Sequence, residues 1–376
     1  MAGPYDAIVV GLGAMGSAAC WQLAKRGQRV LGLERFDIPH AQGSYHGVTR
    51  IIRLAYYEGP AYVPLLRRAY ALWAEASDAF GERLLITTGS FDAGPADSEG
   101  FRGSLDSCLT HDIKHEVLTG AEVNARHPGY RLPDDFQALY QPDGGFILSE
   151  RAVVGHVTMA QALGAEIHGR EAVLEWAPIA GGGVRVTTTR GSYEAARLVL
   201  SAGAWIADFV PALKSVSVPE RQVLGWFQPD DPAKFTPDAF PVLNMLVEEG
   251  RYYLLPIHDV PGLKIGLYHH LEERDHADAI VRDVSDADEA VLRRCIARYF
   301  PAADGPLMAL RACMFTNTPD EHFIIDTLPG HPEVVVASPC SGHGFKFASV
   351  VGEILADLAT TGESRFDLTM FGMDRF

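Results

Sequence analysis

An α/β fold in two parts is predicted, and three observations predict it. A short apolar run, Asp6 to Val10, leads straight into Gly11-Leu-Gly13-Ala-Met-Gly16 and then into a helical stretch. Strand signals crowd two interior stretches, roughly 85–145 and 220–310. A second glycine turn, Ser341-Gly-His-Gly344, opens an amphipathic helix near the C-terminus. The expected architecture is a discontinuous, Rossmann-like dinucleotide-binding domain with a second α+β domain built on a mixed sheet.

The elements follow in order. Ser17 to Arg26 is helical, and Gly27 stops it. A second strand, Arg29 to Leu33, ends at Glu34. After a loop with Pro39, Gly43 and Gly47, helical signals resume from Tyr62 to Ala76. Leu84 to Phe91 reads as one strand. Residues 100–130 read as helix, strand and a short helix around Glu122, and Gly144-Gly145 enters a strand. Val154 to Leu163 is helical. Val184–Thr189 and Tyr193–Leu200 form a hairpin turning at Arg190-Gly191. Strands at Val223–Phe227, Tyr252–Leu255 and Leu263–Leu267 precede a helix over Asp286–Tyr299. Val334–Ala337 is a strand. In the last helix Phe347, Val350, Val351, Ile354, Leu355 and Leu358 share one face, and Gly362 ends it. Residues 1–84, 146–219 and 311–376 are assigned to the nucleotide domain, and 85–145 and 220–310 to a substrate domain lying over it.

The composition sets limits. The chain has 376 residues, 47% of them hydrophobic and 21% charged, enough for two cores. A formal net charge of −16 argues against nucleic acid and anionic membrane as partners. No apolar run reaches the roughly 18 residues of a membrane span. The five cysteines are scattered and form no CxxC, so neither a disulfide framework nor a metal site is expected, and a reduced, cytoplasmic setting is. The N-terminus lacks the basic region and cleavage site of a signal peptide.

The first glycine turn carries chemistry. Gly11 permits the tight turn, Gly13 lets the backbone approach a pyrophosphate, and Gly16 lets helix and strand pack closely. The helix N-terminus offers free N–H groups to phosphate. Glu34, at the end of the next strand, can accept hydrogen bonds from ribose hydroxyls. This fingerprint fits NAD or FAD. The second glycine turn favours FAD, because it can bring another helix N-terminus to the isoalloxazine C2 carbonyl of a reduced flavin.

Three stretches then resemble the monomeric sarcosine oxidase and N-methyltryptophan oxidase family of flavin amine oxidases. They are His46-Gly-Val-Thr49-Arg50-Ile-Ile-Arg53, Cys313-Met-Phe-Thr-Asn-Thr-Pro319-Asp-Glu-His322-Phe-Ile-Ile-Asp326 and Ser341-Gly-His343-Gly-Phe-Lys346. The resemblance spans nearly the whole chain. It implies a two-domain, glutathione-reductase-like flavoprotein that oxidises N-methyl amino acids such as sarcosine. The imine would hydrolyse to formaldehyde and the primary amino acid, and O2 would be reduced to H2O2. It implies FAD held covalently through Cys313, with Cys340 a weaker candidate, and a monomer whose partners are a small amino acid and O2. Arg53 and Lys346 match the pair that binds the substrate carboxylate. Lys264 matches a lysine over the flavin that activates oxygen, and Arg50 adds positive field there. Tyr253 matches an active-site tyrosine. One residue is inserted after the lysine, so either His269 or His270 could match the histidine that follows it, and His269 is favoured. Ser44, Thr49, Gly342 and Gly344 join Gly11, Gly13, Gly16, Glu34, Cys313 and Lys346 as cofactor-binding positions. The chain departs from the sarcosine oxidases at Phe315 for a tyrosine, Val48 for an aspartate, Tyr45 for a histidine, and Leu254-Leu255 for a glycine–aromatic pair. Several of these make the pocket more apolar, which leaves a bulkier or cyclic secondary amino acid as the alternative substrate. A dehydrogenase using another electron acceptor is the alternative reaction.

Overall fold

A computed structural model describes residues 5–338 and 341–376. Cys340, the weaker candidate for flavin attachment, lies outside the described residues. The predicted strand–turn–helix–strand unit is Tyr5–Val10, Ala14–Lys25 and Val30–Leu33. It forms the centre of an eight-stranded sheet in which Tyr5–Val10 lies parallel between Val30–Leu33 and Ser192–Leu200. The late strand Val334–Ala337 pairs in parallel with the end of Ser192–Leu200, so the C-terminal part of the chain returns to the first. The first helix is buried from Met15 to Ala24. It can be, because the last helix, Ala348–Thr361, presses Gly352 onto Ala18: a Cβ there would lie 2.5 Å from the alanine Cβ.

A second sheet, also eight-stranded, runs in the order Leu307–Asn317, Val218–Phe227, Leu263–Leu267, Gly250–Leu255, Val242–Val247, Ser90–Gly94, Gln137–Gln141, Glu116–Thr119. It is mixed, as predicted: Val242–Val247 pairs in parallel with Ser90–Gly94 and antiparallel with Gly250–Leu255. A three-stranded sheet of Thr49–Ile52, Gly145–Leu148 and Leu85–Thr87 completes the frame.

The single strand expected over Leu84 to Phe91 is two. Gly89, at φ +76°, turns the chain under Tyr140, so Leu85–Thr87 stays in the small sheet and Ser90–Gly94 enters the large one. The boundaries expected at 219/220 and 310/311 fall inside the paired strands Val218–Phe227 and Leu307–Asn317.

Alternation along the second sheet sorts its side chains between two faces. Asp92, Asn244, Tyr253, Gly266 and Leu224 stand in register across five neighbouring strands. Leu255, Lys264 and Trp226 form the next row, and Cys313 stands opposite Gln222. Every candidate functional residue of this sheet is therefore on one face. The other face carries Phe91, Leu243, Leu254, Ile265 and Val223 into a core closed by the helix Asp286–Tyr299.

Candidate active site

The larger cavity, about 470 Å³, starts at the first glycine turn and ends at the second. Gly11, Gly13, Ala14, Met15, Glu34, Ser44, Gly342 and Gly344 all line it. Gly11 has φ +86°, and a Cβ on it would lie 2.6 Å from the Ser201 carbonyl oxygen. A Cβ on Gly16 would lie 1.8 Å from the Gly11 oxygen, so this glycine is needed for helix–strand packing and does not line the cavity. Around Gly13 the nearest atom to such a Cβ is 3.6 Å away, which leaves the backbone open to the cavity. The helix that follows has no side-chain cap and no acidic residue in its first turn, so its N–H groups are available to an anion.

Glu34 is buried and fixed. Its Oε2 accepts from the Leu12 N–H at 2.8 Å and its Oε1 from the Phe36 N–H at 3.0 Å. Burial works to raise its pKa, but His40 and these two amides outweigh it and hold the carboxylate ionised below its ordinary range. An ionised acceptor at the strand end, orphan N–H groups at the helix start and a cleft of this size fit the ADP half of FAD.

A smaller cavity, about 40 Å³, adjoins the first, and Arg50, Phe315, Gly342 and Phe345 line both. Thr49, Arg53, Glu58, Asn244, Tyr253, Tyr268, Cys313 and Lys346 complete its wall together with Ile51, Leu255 and His343. Gly342 has φ +78° and passes so close to Phe315 that a Cβ would meet the ring at 2.6 Å.

Cys313 sits at the junction, buried, with the Arg50 Nη2 3.7 Å from its sulfur. Burial would raise the thiol, but the His46 imidazole and the Arg50 guanidinium beside it bring its pKa down to about 6. Arg50 is itself clamped, donating to the carbonyls of Ser44, His46 and Thr49 at 2.6–2.9 Å.

Arg53 and Lys346 also line the small cavity. Arg53 is fully buried, donates to Glu58 at 2.8 Å and to the Ala55 carbonyl at 2.7 Å, and lies 3.4 Å from Asp92. Tyr56 and Tyr57 flank its guanidinium at 4.6 and 4.4 Å. Lys346 donates to the His343 carbonyl at 2.7 Å. Burial pushes its ammonium down to about 7, Arg53 adds to that, and Glu58 opposes it.

Lys264 lines neither cavity. It is buried one layer behind Thr49, with Nζ 2.7 Å from the Gly47 carbonyl, 2.6 Å from the Thr49 carbonyl and 3.1 Å from Thr49 Oγ1. Burial and the nearby Arg50 push its pKa well down, while Glu150 works the other way. The loop it holds is strained: Val48, a β-branched residue, has φ +73°, and Glu150 accepts from both the Gly47 and Val48 N–H groups.

His269 does not join the cluster. The inserted residue puts it in a turn at φ +56°, where its ring lies half exposed between Glu220 at 2.8 Å and Glu321 at 3.4 Å. Those two carboxylates hold it protonated, up to about 9. His270 is buried against Asp288 at 3.0 Å, also away from both cavities. In their place the structure brings in Glu58, Asp92, Asn244 and Tyr268, which sequence reasoning did not single out. Asp92 had a signal: a lone carboxylate in the apolar run Ser90-Phe91-Asp92-Ala93.

Fold and site together define an FAD-dependent oxidoreductase, and residues 6–358 match the FAD dependent oxidoreductase (DAO) family, to which this chain belongs. Within that class the chain is a flavin amine oxidase of the sarcosine oxidase type. It is 40% identical to the monomeric sarcosine oxidase of Bacillus sp. (strain NS-129) over 99% of this chain and 97% of that one. It is 38% identical to the N-methyl-L-tryptophan oxidase of Citrobacter koseri over 99% of each. Among solved structures, NikD, an amino acid oxidase essential for nikkomycin biosynthesis, superposes with a TM-score of 0.85 at 27% identity, covering 98% of this chain and 97% of that one.

Proposed function

We propose that the chain oxidises a small N-methyl amino acid, sarcosine or a near relative, with dioxygen as the electron acceptor. The carrying observation is the small cavity. Buried Arg53 and Lys346 share its wall with Cys313 and with Arg50 and Gly342, which also line the larger cavity. Its roughly 40 Å³ hold about three water molecules. That suits a compact amino acid such as sarcosine.

Bound flavin supplies the acceptor for the electron pair of the C–H bond and delivers it to oxygen. The protein's own part is positioning. Arg53 and Lys346 take the carboxylate, and Tyr253 and Phe315 wall the methylamine between them and the cofactor. Glu58, the carboxylate in the wall, is no base: burial would raise it, but Arg53, His343, Arg251 and Lys346 hold it at about 2. Cys313 carries the flavin through its sulfur, and Lys264 in its protonated form supplies a positive charge that favours electron transfer to oxygen. The imine product hydrolyses to formaldehyde and the primary amino acid.

Aerobic turnover of sarcosine should release formaldehyde and hydrogen peroxide in equal amounts. Formaldehyde without peroxide, made only with an added electron acceptor, would instead make the chain a dehydrogenase. The reading includes a monomer in the cytoplasm. No helix among the described residues is long and apolar enough to cross a membrane.

The carboxylate clamp sets a pH dependence. Lys346 is charged below about pH 7 and neutral above it. The affinity of a simple carboxylate ligand, read from the flavin spectrum, should be flat below pH 7 and fall by up to about tenfold per unit above it. A Kd unchanged up to pH 9 would show that Lys346 does not bind the carboxylate as a cation.

A further inference from the structure

We propose that Asn244 is a specificity-determining residue that reads a hydrogen-bond donor on the substrate side chain, such as a hydroxymethyl group. This rests on the N-methyl amino acid reading above. Asn244 is 95% buried by its 5% exposure, yet it lines the small cavity. It stands on the cofactor-facing side of the second sheet, between Asp92 and Tyr253 in register. Its Nδ2 donates to Asp92 Oδ1 at 3.0 Å.

That bond fixes the amide. An ionised carboxylate only accepts, so the NH2 group must face Asp92 and the oxygen must face away from it. Asp92 is ionised above about pH 6, where burial has raised it against the pull of Arg53. No donor among the described residues reaches the Asn244 Oδ1, and the residue lines the cavity. A ligand group that donates to this carbonyl replaces the water there with a hydrogen bond, whereas an apolar group displaces the water and leaves the oxygen unpaired. Ile51, Leu255 and Phe315 in the same wall offer no side-chain acceptor, and the Glu58 carboxylate there already accepts from Arg53 and Arg251. The carboxylate of the substrate is committed to Arg53 and Lys346 and its amine carbon to the flavin side, which leaves the side chain as the group facing Asn244.

Two isosteric probes test this: racemic N-methylserine, and racemic N-methyl-2-aminobutyrate, in which a methyl replaces the hydroxyl. Anaerobic flavin reduction gives an apparent Kd and a limiting rate for each. The wild type should favour N-methylserine by about tenfold in their ratio. Asn244→Leu should bring that preference to about one. Equal efficiency of the two probes with the wild type would overturn the inference alone, and would do so even if the variant failed to fold. A variant that loses efficiency equally for both probes would also overturn it, since Asn244 would then act only by holding Asp92 against Arg53. If neither probe, nor sarcosine, bleaches the flavin, the inference falls together with the substrate reading.

Discussion

Acid-precipitated wild-type protein should stay yellow, and Cys313→Ala should release all of its flavin into the supernatant. The structure gives the reason in three parts. Cys313 lies on the wall of the small cavity, at its junction with the larger one, so its sulfur is at the cofactor end of the site. Its pKa near 6 makes it mostly thiolate at neutral pH, which a buried cysteine ordinarily is not. Cys20, Cys108 and Cys295 show the contrast: burial drives each of them upward, with no cation strong enough to reverse it. The alanine variant should still fold, because the change removes one sulfur atom from a strand fixed along its length to Val218–Phe227. Colour that washes out of the wild type would end the covalent assignment.

The second large effect is expected at Lys264. Methionine keeps the length and apolar stem and removes the charge. Reoxidation of the reduced flavin by oxygen should slow by roughly 10²–10³-fold, the usual cost of losing one fixed electrostatic contact at a developing charge. Reduction by substrate should change far less, because Lys264 lines neither cavity and touches only Gly47 and Thr49 among the site's hydrogen-bond acceptors. Stopped-flow measurement of the two half-reactions separates them. Equal slowing of both would mean that Lys264 holds the Val48 loop in shape and does nothing more. The wild-type reoxidation rate should also decline toward high pH, since burial and Arg50 make this ammonium easier to deprotonate than a free lysine.

Much of this site was legible before any coordinates. Gly11, Gly13 and Gly16 between a strand and a helix state their function by position, and Arg53, Cys313 and Lys346 lie in stretches with unusual residues. Other parts were hidden for a physical reason. Val242–Val247 is buried on both faces at its start, so its apolar run shows no alternation and gives no hint that Asn244 faces a cavity. Leu307–Asn317 escaped notice as a strand although Cys313 lies in it, because its partners are distant in sequence. Asp92 was obscured by reading a single strand through Gly89. His269 failed because a one-residue insertion in a turn rotates a side chain away from its expected direction, and spacing alone cannot report that rotation.

The central claim is that the small cavity takes an N-methyl amino acid by its carboxylate and favours small side chains. Anaerobic titration of the purified flavoprotein with sarcosine, N-methylalanine and N-methyltryptophan tests it most directly. Bleaching of the flavin absorbance by the two small compounds, at least about tenfold more efficient than by N-methyltryptophan, is the expected result. Bleaching by N-methyltryptophan alone, or by amines that lack a carboxylate as readily as by sarcosine, would contradict it.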